Sequence, residues 1–284
     1  MRRICQPALV LAAAVALLGA HRALAVDGVI EISHDRALVG GVTPGDAPGY
    51  PVTLSVSGSY VLTSDLKPRT SGGIEITADR VTLDLNGFRV RCFSLQFPPP
   101  PERCGGANGV GISTGDYAVI RGGVVDGFPG IGIMTGEGNR LEDLRVESNG
   151  DGILMGRGSS LDRSVVAVNA GDGVRALLEA DAIAVRNSQI VQNGRGIVLR
   201  GGIASGNLVL GNLQEGIETE GLGGLSVRAP LIVDNQISKN AVGIRFNTPA
   251  GWGRNALSSN LTDVIFGTAP TRLAPNLCST AFCP

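Results

Sequence analysis

The sequence predicts an all-β fold of stacked coils, and three observations carry that prediction. A Gly-Ile or Gly-Val pair returns about every 21 residues, at Gly73, Gly111, Gly132, Gly152, Gly173, Gly196, Gly216 and Gly243. Asp263-Val264 keeps the apolar residue of a ninth copy and loses the glycine. Past the first 25 residues, no 12-residue stretch keeps a 3.6-residue apolar period, apart from a segment at Ser33–Val39. A fixed period of this length means stacked structural units, and the missing helical period makes them units of strands. The third observation is composition. The chain holds 42 glycines and only 4% aromatics, which suits short strands joined by frequent turns.

The elements follow in chain order. Arg2 and Arg3 precede an apolar run from Ala8 to Ala20 and the small-x-small triplet Ala23-Leu24-Ala25. Residues 1–25 therefore read as a signal peptide, and the chain as secreted or periplasmic. The run is too short to span a bilayer comfortably, and no later stretch reaches transmembrane length. Removal of Arg2, Arg3 and Arg22 takes the net charge from −1 to −4. A mildly acidic surface argues against nucleic acid as a partner. Residues 26–70 are expected to cap the open end of the stack, which otherwise exposes core and strand edges.

The repeat occupies residues 71–266. In the unit Gly150–Asn169, a strand over Gly152–Met155 leads through a turn at Gly156–Ser160 to a second strand over Ser164–Val168. The period of two along a strand turns Ile153 and Met155 to one side and Leu154 to the other. Coils stacked at about 4.8 Å make nine repeats a rod of roughly 40 Å. Asn149, Asn169, Asn193, Asn212, Asn240 and Asn260 recur just before the next coil, and Asn187, Asn207, Asn235 and Asn255 form a second set. Asn tolerates the left-handed backbone of a tight corner, and stacked Asn side chains form hydrogen-bonded ladders. Both sets read as structural.

Two steps are longer than the rest. One holds Cys92, Cys104 and the run Pro98-Pro99-Pro100-Pro101. The other adds about six residues near Glu220–Ala229. The first is either a surface loop or one wall of a cleft. Four cysteines remain after the leader, and proximity suggests Cys92–Cys104 and Cys278–Cys283, one of three possible pairings. A structural metal needs clustered Cys and His, and His34 is the one histidine past the leader. Residues 267–284 are expected to leave the repeat and fold over the last coil.

The pattern Gly-Ile-x-Ile-x-x-x-x-Val-Thr-Leu-Asp-Leu-Asn-Gly-Phe at Gly73–Phe88 and the recurring Asn-x-x-Gly-Ile corners resemble the pectin-lyase-like superfamily over Ser71–Phe266. The resemblance implies a right-handed, single-stranded parallel β-helix of about nine coils. The stretch Ala37–Leu66 resembles the leader of bacterial secreted β-helix repeat proteins. The superfamily hosts lyases, hydrolases, epimerases and adhesins, so the fold alone does not assign an activity.

Chemistry is expected in the column just before each repeat glycine, where Asp151, Asp172, Arg195 and Glu215 are consecutive. Stacking places Asp151 and Asp172 about 5 Å apart at the backbone, and Asp172 and Glu215 about 10 Å apart with Arg195 between. Glycoside hydrolysis uses paired carboxylates at such spacings. Stacked Asp residues also raise one pKa by repulsion or bind calcium, the one cofactor the pattern allows. Arg175 is the candidate base of a lyase reading. Against this, Asp-Gly, Arg-Gly and Glu-Gly are ordinary turn dipeptides, and Arg195 neutralises its neighbours. The hydrolase motifs Asn-Thr-Asp, Gly-Asp-Asp, Gly-His-Gly and Arg-Ile-Lys do not occur. Met134 and Met155 do not make the His or Met cluster of a metal-delivery protein. Trp252 is either an exposed sugar platform or a packing residue. Met134 and Leu154 form an outward apolar patch expected to be covered. The reading is a non-catalytic scaffold or binding protein for a polysaccharide or cell-surface component. The alternative is a polysaccharide lyase or glycoside hydrolase working through Asp151, Asp172 and Arg195, with Arg175 and Glu215.

Overall fold

Most coils carry three strands rather than two, and in two coils the second and third run on as one strand, Val119–Asp126 and Arg140–Glu147. The computed structural model describes residues 28–69, 72–92, 104, 108–178, 180, 182–221, 228–279 and 283. In the coil that begins at Gly150, the strands are Asp151–Met155, Ser160–Asp162 and Val165–Ala167. The first and last match the expected pair. Ser160–Asp162 lies partly inside the expected turn, because Ser-Leu-Asp offers a single apolar side chain, Leu161, to mark it as a strand.

The strands that hold the repeat pair form one ten-stranded sheet in chain order, and neighbouring strands pair in parallel. Its inward column runs Val52, Ile74, Ile112, Ile133, Ile153, Val174, Ile197, Ile217, Ile244 and Val264. The first nine are buried completely or nearly so. The second sheet has 17 strands in two tracks. One track stacks Leu83, Ile120, Leu141, Leu161, Val185, Ala204, Ile232 and Trp252 inward. The other stacks Val90, Val125, Val146, Val166, Ile190, Val209, Ile237 and Leu257. Matching apolar side chains lie one coil apart along each column, so every coil buries its neighbours and none has a core alone.

The repeat glycines are required by space and not by backbone angle. A Cβ on Gly152 would lie 2.4 Å from the Gly173 carbonyl oxygen, 2.6 Å from Val166 and 2.9 Å from the Asn169 amide. Gly196 is confined in the same way, by Gly216, Asn212 and Val209. The Asn ladder and the valine track occupy the place where a side chain would go.

The first Asn set forms that ladder. Each Asn from Asn149 through Asn240 donates its backbone and side-chain N–H to Oδ1 of the next, at 2.9–3.2 Å, as far as Asn260. The left-handed conformation belongs to the preceding residue, with φ of 56–58° at Ser148, Val168, Gln192, Lys239 and Ser259. The corner work and the ladder work are thus divided between adjacent residues. The second set needs a one-residue correction. Asn207, Asn235, Asn255 and Asn276 form a ladder at 2.9–3.1 Å. Asn187 takes the left-handed corner at φ 49°, and Ser188 donates its N–H to Asn207 instead.

The ends of the repeat also differ from expectation. In the N-terminal segment, Val52–Leu54 pairs with Ile74–Ile76, and Val29–Ile32 pairs with Gly58–Leu62, so this segment contributes strands to both sheets. A short helix over His34–Val39 starts at the Ser33 N-cap and buries Ala37 in the common core. Asp46 accepts from the N–H of Val42 and of Thr53, tying the loop to the first strand. The tail extends the coil instead of leaving it at 267. Thr271–Arg272 pairs with Gly251–Trp252, and Leu277 bridges to Ala256. Cys92–Cys104 and Cys278–Cys283 are both bonded, with Cα separations of 5.7 and 5.1 Å. Among the described residues no helix is long and apolar enough to cross a membrane. The expected leader 1–25, the Pro98–Pro101 run and residues 222–227 of the second insertion lie outside the described residues.

Candidate functional site

The ten-stranded sheet turns two columns outward, the residue before each repeat glycine and the residue after each repeat Ile or Val. Arg195 sits at the centre of the charges they carry. Its guanidinium grips both oxygens of Asp172, with Nε at 2.6 Å from Oδ1 and Nη2 at 2.8 Å from Oδ2. Nη1 donates to Glu218 at 2.7 Å and to Glu220 at 2.8 Å. Glu218 also accepts from the Asn247 side chain at 2.8 Å. Glu220 holds Arg200 at 2.5 Å, and Arg200 donates to the Ala176 carbonyl. Arg175 completes the group 3.5 Å from Asp172. Three carboxylates thus face three guanidinium groups on a largely buried patch, with the Asp172 side chain only 8% exposed.

Of the five expected site residues, three come together here: Asp172, Arg175 and Arg195. Glu215 stands one coil along in the column but pairs with Arg245 at 2.7 Å and not with Arg195. Arg195 is long enough to pass Glu215 and reach Glu218 and Glu220, whose side chains lie on its own side of the patch. Asp151 contributes through its backbone neighbour, because its Oδ1 accepts from the Asp172 N–H at 2.8 Å. The two aspartates do not present a facing carboxylate pair. Glu218, Glu220, Arg200 and Asn247 were not anticipated. Crossing the column before the glycine with the column after the isoleucine would have found Glu218.

Asp151 also faces a second feature. An open groove of about 530 Å³ runs across successive coils, lined by Asn108, Pro129, Gly130, Ile131, Gly150, Asp151, Ala170 and Gly171. Its wall is nearly bare backbone. A Cβ on Gly150 would lie 2.3 Å from the Pro129 carbonyl oxygen, and one on Gly171 would lie 2.0 Å from Asp151 Oδ1.

A right-handed β-helix region signature matches residues 129–265. The chain has the right-handed parallel β-helix fold. This β-helix is similar to the structure of the pectate lyase Pel9A at 13% identity and a TM-score of 0.56, over 86% of this chain and 69% of that one. The A-module of the Azotobacter vinelandii mannuronan C-5 epimerase AlgE4 is similar at 12% identity and a TM-score of 0.57, over 89% and 85%. The Dettilon tailspike protein is similar at 15% identity and a TM-score of 0.53, over 80% of this chain and 53% of that one. Identities this low speak for the fold alone. No curated protein matches the sequence.

The chemistry of the β-helix patch follows from its hydrogen bonds. The Asp172 carboxylate beside Arg195 pushes that guanidinium above its ordinary value, so Arg195 holds its proton and is a poor base. Burial pulls Arg200 the other way, helped by the nearby positive charge of Arg175 and opposed by Glu220. Among the described residues no group of three or more His, Cys, Asp or Glu gathers as a metal site. Trp252 is buried inside the coil, edge-on to Phe246 at 5.3 Å and to Phe266 at 6.1 Å. It is a packing residue and offers no sugar platform. Met134 and Leu154 stack in register and are half-buried, and Val198 further along the same outward column is fully buried.

Proposed function

We propose that this chain is an exported, non-catalytic β-helix scaffold that binds a glycan or another surface component. The observation that carries the reading is the Asp172–Arg195 clamp. A general acid, base or nucleophile needs a side chain free to exchange a proton or attack the substrate. In the outward column, Asp172 is held by two guanidinium groups, Arg195 spends four N–H donors on carboxylates, and Glu215 is tied to Arg245. Such a column reads as an electrostatic brace between coils, which leaves the groove beside Asp151 as the place for a ligand.

Two of the similar structures are named for pectate and mannuronan, and extended polymers are natural ligands for a rod-shaped surface. The competing reading is a divergent polysaccharide lyase or glycoside hydrolase that uses Asp151, Asp172 and Arg195. One experiment separates them. The protein from residue 26 onward is incubated with plant, algal and bacterial polysaccharides, with and without calcium. New reducing ends and unsaturated products are followed, and retention on each immobilised polymer is measured. Retention without product supports the scaffold reading. Product formation that is lost in Asp172→Asn, with the fold intact, overturns it.

A further inference from the structure

The groove beside Asp151 combines a bare backbone wall with a single charge. Pro129, Gly130, Gly150 and Gly171 present peptide groups, Ile131 is the one large apolar residue, and Asp151 is the one ionised side chain on the lining. Asp151 Oδ1 is engaged by the Asp172 N–H, whereas Oδ2 has no partner among the described residues. The nearby cations are committed elsewhere, Arg195 to Asp172, Glu218 and Glu220, and Arg175 to Asp172. A carboxylate-bearing polymer laid in the groove would therefore meet a carboxylate and no free counter-charge. A polymer rich in hydroxyls would meet an unused, charged acceptor, which forms stronger hydrogen bonds than a neutral one.

The geometry suits a linear chain. Gly130, Gly150 and Gly171 belong to successive coils, about 4.8 Å apart. That interval is close to the length of one extended sugar unit. Backbone oxygens leave no room for a side chain on Gly150, and a Cβ on Gly171 would have to displace the Asp151 carboxylate, so glycine at both positions keeps the groove floor low.

We infer that this groove binds an uncharged, hydroxyl-rich glycan, with Asp151 Oδ2 accepting from a sugar hydroxyl, and that it disfavours polyuronates. The inference rests on the glycan-binding reading and narrows it. The test uses the chain from residue 26 onward at low ionic strength. Retention is measured on immobilised neutral β-glucan, galactomannan and xylan, and on polygalacturonate and alginate. Asp151→Asn keeps an oxygen for the Asp172 N–H and removes the charge. It is expected to weaken retention on the neutral polymer about tenfold. Ala170→Trp, at an exposed position on the lining, is expected to block the groove, and Ala170→Lys to bring in polyuronate binding.

Retention by a neutral polymer with these variant effects supports the inference. Retention by polyuronates alone, strengthened in Asp151→Asn, overturns it and leaves glycan binding standing. Neutral-polymer binding that ignores both Asp151→Asn and Ala170→Trp places the ligand elsewhere and also overturns it. If no polymer is retained, the inference and the broader reading fall together.

Discussion

Asp172 and Asp234 each hold an arginine with both carboxylate oxygens, yet burial gives them different weight. The Asp172 and Arg195 side chains are 8% and 21% exposed, whereas those of Asp234 and Arg254 are 46% and 58% exposed. Removing one partner of a buried pair strands the other charge. Asp172→Asn is therefore expected to cost about 2–3 kcal/mol, below the full buried-pair penalty because Arg195 keeps some solvent and two other acceptors. Asp234→Asn should leave the denaturation midpoint close to the parent, since solvent already screens that pair. Urea titrations of the two variants check the contrast, and equal losses would contradict it. Tyr50 supplies a pH-dependent test. Burial pushes its phenol up to about 12, against the Lys67 N–H, which lowers it. An unfolded tyrosine ionises near pH 10, so between about 10 and 12 the unfolded chain releases a proton that the folded chain keeps. The stabilisation is complete below that window and is lost as pH rises through it. Tyr50→Phe should reduce the slope of stability against pH there, with Tyr60, also raised by burial, supplying a remainder. An unchanged slope would reject the assignment.

The Asn ladder shows which parts of an element are written in residue spacing. Gly-Ile columns and the Asn149–Asn260 set were legible because each position is dictated by the same neighbour one coil away. The Asn187-Ser188 pair was misread by one place, since spacing alone does not say which of two adjacent polar residues turns inward. The strand over Ser160–Asp162 was missed because a three-residue strand has too few side chains to show a period of two. The reach of Arg195 past Glu215 was also illegible, because columns describe backbone stacking and say nothing of where a long side chain lands. The corrected assignment makes its own prediction. In Asn193→Ala, the buried N–H of Asn169 and the Asn169 amide lose their acceptor, and Asn212 loses a donor. A loss of about 2–4 kcal/mol is expected, from unsatisfied buried polar groups plus the missing volume. Asn187 is an exposed corner residue with positive φ, so Asn187→Gly should leave stability near the parent value. Thermal melts of both variants decide the point, and a large loss in Asn187→Gly would reverse the assignment.

At the scale of the molecule, a stack of coils is stabilised by contacts between neighbours, so local damage should stay local more than in a globular core. The last coil is where this is testable. Its Val264 is only half-buried and Leu261 and Phe266 are exposed, whereas Ile197 in the middle is fully buried. The ninth repeat carries Asp263 in place of glycine, and its position explains the change. No further Asn follows Asn260 in the first ladder, and Asp263 Oδ1 takes the Asn260 side-chain N–H at 2.9 Å. Its Oδ2 accepts from the Ser279 N–H at 2.7 Å, which ties the tail to the coil. Burial works to raise the Asp263 pKa, but these hydrogen bonds outweigh it and hold the carboxyl below its ordinary range. Its contribution is therefore present at neutral pH and lost as the solution is acidified through that lowered value. Asp263→Ala removes the terminal acceptor of the ladder and the anchor of the tail together. Hydrogen exchange in this variant should quicken over Thr262–Phe266 and 271–277 and stay unchanged around Arg195–Leu199. If exchange instead quickens evenly from end to end, the coils open as one cooperative unit, and the neighbour-by-neighbour account of this rod is wrong.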